Sequence, residues 1–241
     1  MRYLSLLWFC LCCLKAYAGI YPENSRIIYR ADEDLQTLTI QNTNDYPILV
    51  QSFVDDGGFN PNITAVPFVT NPAIMQLAAG EYGAISIIFT GDNLPNNQES
   101  LFWLNLHEIP AITKQQENHP YKMLITINTQ LKLLYRPANL AKQLDTNKLV
   151  KQLNFKLNRQ HLTAANQSAY FASITELALI DNKQQTISEF EDDNLMLNPF
   201  SQRTYAVKED LDFANHMQVR LTVKDDLGIS KQFTLTLTAQ E

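Results

Sequence analysis

The sequence predicts an all-β protein built as two tandem β-sandwiches, and three observations carry that expectation. Short runs in which apolar and polar residues alternate dominate both halves of the 241-residue chain, turn formers separate those runs at short intervals, and 45% of the residues are hydrophobic. A chain of this length with that apolar content fills two small cores, and short alternating runs with regular turns are the pattern of sandwiches.

The elements follow in order. Residues 1–18 carry Arg2, a short apolar run and then Ala16-Tyr17-Ala18, with no acid before Glu23. This is the pattern of a secretory signal peptide cut after Ala18, and the run is too short to span a membrane, although Lys15 interrupts it. All three cysteines, Cys10, Cys12 and Cys13, lie inside that segment, so the mature chain has no disulfide and no thiolate metal site. A lipid anchor at Cys12 or Cys13 is the rival reading, and Phe9, Cys10 and Leu11 before them are bulkier than such anchors accept. Losing Arg2 and Lys15 leaves 17 of 19 basic residues against 25 acidic ones, a mature charge of −8. That balance argues against nucleic acid or an anionic membrane as partners of the whole surface.

Alternating runs then fall at Ser25–Tyr29, Thr37–Gln41, Ile48–Phe53, Ala84–Phe89 and Leu101–Leu106. Residues 121–137 form the longest of them, YKMLITINTQLKLLYRP, with Tyr121, Met123, Ile125, Ile127, Leu131, Leu133 and Tyr135 on one face. Strands usually run five or six residues, so this one is unusually long. The run Tyr135–Leu140 ends it, and the polar stretch Ala141–Lys148 that follows marks a domain border near residue 140, with slight helical character over Leu140–Leu153. Further runs follow at Gln152–Leu157, Tyr170–Leu179, Arg203–Val207, Gln218–Val223 and Gln232–Thr238.

No motif for covalent chemistry stands out. The four histidines, 107, 119, 161 and 216, are never three or four residues apart, and no phosphate-cradling glycine loop or nucleophile elbow occurs. The acidic groups Asp32-Glu33-Asp34 and Glu189–Asp193 lack the ligand spacing of a calcium loop. A secreted hydrolase using His107 or His161 is therefore a remote alternative, and no cofactor is expected.

Five stretches together resemble one family, the PapD-like periplasmic chaperones of the chaperone–usher pilus pathway. They are Ser25-Arg26-Ile27-Ile28-Tyr29, the run from Asn44 to Ser52, Pro67-Phe68-Val69-Thr70-Asn71-Pro72, Leu94 to Asn105 with Glu108-Ile109-Pro110, and Leu131-Lys132-Leu133-Leu134-Tyr135-Arg136-Pro137. They occur in the family's order and spacing. The second half matches more loosely, through the run Leu195 to Ser201 and through Asp225-Asp226-Leu227-Gly228.

The resemblance implies two immunoglobulin-like sandwiches, 19–139 and 140–241, set at an angle around an interdomain cleft. It implies a periplasmic protein that binds pilus subunits, completes their fold with a donated β-strand, and delivers them to an outer-membrane usher. By the same resemblance Tyr121, Met123, Ile125 and Ile127 are the donor face, and Arg26 and Lys132 anchor the subunit's C-terminal carboxylate. Glu99, Arg136 and Asp226 match an interdomain ion network. The bland alternatives are a long strand packed inside its own sandwich and two unrelated surface cations. A structural pilus subunit or adhesin is the other functional class, and it sits poorly with a cysteine-free mature chain. An exposed apolar edge also favours self-association in the absence of a subunit. Asn97-Gln98, Ala73, Gln76 and Asn166-Gln167-Ser168-Ala169 depart from the family's pattern, which bears on domain contacts and usher docking.

Overall fold

A strand with one oily face is stable only when that face is covered, and here paired sheets cover each other twice. The computed structural model describes residues 19–61, 66–91, 94–111, 125–140, 142–158, 161–192, 194–207 and 217–237. In the first sandwich one sheet runs β1 (Ile20–Pro22), β3 (Leu35–Asn42), β7 (Tyr82–Phe89) and β5 (Phe68–Asn71), in that spatial order. The facing sheet runs β2 (Arg26–Arg30), β9 (Ile127–Arg136), β8 (Ser100–Pro110), β4 (Ile48–Asp55) and β6 (Ile74–Leu77). Leu38, Ile40, Ile85 and Ile87 from one sheet meet Val50, Leu104, Leu106 and Leu133 from the other in a single core. Each is an alternate residue of its strand, as the pleat requires.

The chain changes sheets between β1 and β2. β1 pairs antiparallel with β3, whereas β2 runs parallel to β9 with Arg26 opposite Lys132 and Arg30 opposite Arg136. Tyr29 fastens β2 in place: its hydroxyl donates to the Asp34 carbonyl at 3.0 Å and accepts from the Phe89 amide at 3.1 Å. Its ring meets Phe68 edge-on at 5.2 Å, and Phe89 packs 4.9 Å from Tyr135. Such contacts add to area burial.

The second sandwich begins with a short helix, α1 (Thr146–Val150), whose first amides are capped by the Asp145 carboxylate. One sheet then runs β10 (Leu153–Leu157), β11 (His161–Asn166) and β14 (Ser201–Ala206), and the other runs β13 (Thr186–Glu189), β12 (Ile174–Ile180), β15 (Gln218–Lys224) and β16 (Ser230–Thr236). Leu149, Phe155, Leu162, Leu179, Val219 and Leu221 are central in its core.

One device recurs in both sandwiches. Asn42 ends β3, donates to the carbonyls of Tyr46, Leu77 and Ala78, and accepts from Asn44. Asn166 ends β11, donates to Tyr170, Leu197 and Asn198, and accepts from Ser168. A single buried amide thus satisfies several loop groups that would otherwise be cut off from water. Asn166, a sequence match to a glycosylation triplet, is committed to this interior role.

The sequence reading departs from the structure chiefly where strands are short. β1, β5, β6, β11 and β13 were not expected, because three to six residues with small or mixed side chains leave little alternation to see. The long strand is also shorter than its pattern: it begins at Ile127, and Ile125 lies outside it. The last β8 residue opposite β9 is Glu108, paired with Ile127, and β8 ends two residues later at Pro110. Upstream of Ile127 no described strand pairs with the chain. Tyr121 and Met123 lie outside the described residues.

Candidate functional site

The site is built on the flank of β9 that β8 does not use. β8 pairs with β9 over residues 127–135, whereas β2 covers the opposite flank only over residues 132–136. Among the described residues no strand therefore pairs with that flank over residues 127–131. Leu131 and Leu133 on the odd face enter the first core, and continuing the same face upstream gives Ile127 and Ile125, which are 46% and 63% exposed. The covalent pattern thus runs on beyond the sandwich that it helps to fill.

Two cations stand where the open flank meets β2. Arg26, the first residue of β2, is 8% exposed, and its Nε is buried with no hydrogen-bond partner among the described residues. Lys132 lies beside it across the parallel pair, with Nζ 3.4 Å from the Met196 sulfur and 5.8 Å above the Trp103 ring. No described acid forms an ion pair with either. Burial pulls the Arg26 guanidinium below its ordinary range, offset in part by Asp225 and Asp226. Burial also pulls Lys132 down, and the neighbouring Arg26 and Lys224 add to that. The result is a desolvated cationic corner whose nearest acids are occupied elsewhere: Asp226 pairs with Arg136, and Asp225 pairs with Lys231 at 3.1 Å.

Glu99, Arg136 and Asp226 come together as a second cluster linking the two sandwiches. Arg136, at the end of β9 and 1% exposed, donates from Nε to Glu99 at 2.7 Å and from Nη1 and Nη2 to Asp226 at 2.8 and 2.7 Å. Glu99 also accepts from the Phe171 amide at 2.8 Å, and Asp226 accepts from the Leu144 amide at 2.8 Å. Burial pushes the Glu99 carboxyl up, against the opposing pull of Arg136 and the Phe171 amide. Arg136 is held firmly protonated by its two carboxylates despite its burial. Leu134, Phe171 and Met196 form a small apolar cluster beside these charges.

The turn carrying Asp226 also lies against Ser25, just ahead of β2. Gly228 has φ +79°, and a Cβ built there would overlap the Ser25 Oγ. Gly228→Ala is expected to cost about 1–3 kcal/mol through overpacking and backbone strain, read by urea or thermal unfolding. A variant as stable as the parent would show that this turn does not bear on the strand carrying Arg26.

Sequence reasoning did not single out Gly228, Met196, Trp103 or the buried acid Glu108 for a role. Glu108 was visible in principle, as an acid in the core register of Leu104 and Leu106.

Residues 19–141 match the family model described as "Pili and flagellar-assembly chaperone, PapD N-terminal domain", and residues 148–235 match "Pili assembly chaperone PapD, C-terminal domain". The chain is 31% identical over 209 residues to the Haemophilus influenzae protein named "Chaperone protein HifB", covering 85% of this chain and 83% of that one. It is 29% identical over 228 residues to the "Probable fimbrial chaperone YehC" of Escherichia coli K12, covering 93% and 89%. In fold it is similar to the CupB2 chaperone of Pseudomonas aeruginosa, with TM-score 0.74, 24% identity and coverage of 90% and 100%. It is also similar in fold to a chain of the Salmonella enterica SafA pilin–SafB chaperone complex, with TM-score 0.72, 22% identity and coverage of 93% and 99%.

Proposed function

The chain belongs to the PapD family of pilus-assembly chaperones, and from that premise we propose that it captures pilus subunits by lending them the exposed end of β9. In this reading residues 1–18 are removed on export to the periplasm, 19–139 and 140–241 are the two domains, and the loaded chaperone hands its subunit to an outer-membrane usher. No helix among the described residues is long and apolar enough to cross a membrane.

The observation that carries the reading is a strand flank, half-open among the described residues, that ends at two cations without a described acid partner. An incoming strand gains main-chain hydrogen bonds along residues 127–131, while Ile125 and Ile127 enter its sandwich and set the register. Tyr121 and Met123 continue the same face by sequence. Each apolar side chain so buried contributes roughly 1.5–3 kcal/mol before ordering costs.

The cations also select direction. β2 lies parallel to β9 on this flank, and Arg26 is its first residue. A guest strand parallel to β9 and in line with β2 ends with its C-terminus at Arg26 and Lys132, whereas an antiparallel guest brings an ammonium to the same corner. A guanidinium fork and an ammonium favour the carboxylate through charge-assisted bonds. Parallel addition follows.

The test is co-expression in the periplasm with a pilus subunit encoded nearby, comparing wild type with Ile125→Asp and Ile127→Asp. The expected result is a soluble one-to-one complex for wild type and loss of capture for both variants, with folding retained because neither side chain is buried. Capture by both variants at the wild-type level would overturn donation from this face.

A further inference from the structure

Glu108 continues the core face of β8 beyond Leu104 and Leu106 and is 3% exposed. Its Oε1 accepts from the Asn44 side-chain amide at 2.9 Å. Its Oε2 is buried and has no hydrogen-bond partner among the described residues, and no ion pair reaches it there. A buried carboxylate oxygen in that condition is costly, so a donor or cation is expected beside it.

Gly19 is the group placed to supply one. Its amide donates to the Asn44 Oδ1 at 3.0 Å, and its carbonyl accepts from the Thr43 amide and hydroxyl at 3.0 and 2.7 Å. A Cβ built on Gly19 would lie 3.7 Å from the Glu108 Oε2. As an amide, the Gly19 nitrogen has one hydrogen, and Asn44 takes it. Gly19 also follows Ala16-Tyr17-Ala18, the small-residue pattern at which a signal peptidase cuts.

We propose that cleavage between Ala18 and Gly19 creates the missing partner, and that the Gly19 α-ammonium pairs with Glu108 to lock the first strand into the finished sandwich. Water adds across the Ala18–Gly19 amide, the C–N bond breaks, Ala18 leaves as a carboxylate, and the Gly19 amine takes up a proton. The ammonium has three hydrogens, so it keeps Asn44 and has donors left for the Glu108 Oε2. Asn44, bonded to both residues, holds them in register. The sandwich thereby gains this ion pair only after export, since the uncut chain cannot form it.

The experiment is a double-mutant cycle on the full-length mature chain, released from a cleavable tag so that it begins either at Gly19 or with one extra Ser before it, each with Glu108 or Glu108→Gln. With Glu108 present, the extra residue is expected to lower the thermal midpoint by about 5 °C or more, and in the Glu108→Gln background to change it by about 1 °C or less. The Gly19 amine should resist amine-reactive reagents in the parent and label in Glu108→Gln. Additive effects of extension and substitution, or equal labelling of both proteins, overturn the pairing. So does mass spectrometry of the periplasmic protein showing a first residue other than Gly19.

Discussion

Arg136→Ala is expected to cost about 3–5 kcal/mol of folding stability, the loss typical when one partner is removed from a buried ion pair. The reason is what stays behind. Glu99 remains almost wholly buried with only the Phe171 amide to oppose it, and Asp226 keeps the Leu144 amide but loses both guanidinium bonds. These groups come from the start of β8, the end of β9 and the turn after β15, so the loss falls on the junction between the sandwiches. Urea unfolding followed by near-ultraviolet circular dichroism should show a lowered midpoint and a separation of the two sandwiches into distinct transitions. Arg136→Met combined with Glu99→Gln and Asp226→Asn should recover most of the loss, because it removes the stranded charges along with the pairs. A loss below about 1 kcal/mol for Arg136→Ala would mean that the apolar contacts of Leu134, Phe171 and Met196 hold the junction without the charges.

Arg26→Ala and Lys132→Ala are expected to act in the opposite sense, with little change in stability and a large loss of subunit binding. Removing one partner of a buried, hydrogen-bonded charge pair at an interface costs about 2–5 kcal/mol, or roughly 30-fold to several-thousand-fold in affinity. Stability is spared because neither cation has an acid partner among the described residues, and each is already disfavoured by burial and, for Lys132, by like charge. In the proposed reading, the protein carries two desolvated charges whose partner would arrive with the subunit, a stability cost of the kind binding sites often retain. Capture from periplasm together with thermal unfolding separates the two effects. If both variants bind as the parent does, the carboxylate anchor is wrong. If both variants unfold, the cations serve the fold.

The same contrast shows how much of the molecule was legible in its residues. The interior and exterior faces of β9 follow from Cβ alternation, a local covalent property, so Leu131, Leu133, Ile127 and Ile125 could be sorted from sequence. The order and spacing of the motifs around Arg26, Glu99, Lys132 and Arg136 identified the family, and with it the candidate residues. The short strands β5 and β6 escaped notice because four residues apiece around Pro72 carry no usable period. Sequence alone determined which side chains share a face, the strong-to-weak match of the two halves, and the small-residue pattern ahead of Gly19. Only the tertiary structure decided that β2 begins at Arg26 and that, among the described residues, the flank of 127–131 is unpaired, that the turn at Gly228 lies against Ser25, and that Glu108 lies against Gly19 with one oxygen unpartnered there. Those facts depend on pairings between residues far apart in the chain, Glu108 and Gly19 among them. No local periodicity encodes which distant strand will occupy an edge, because that choice is settled by closing two cores at once.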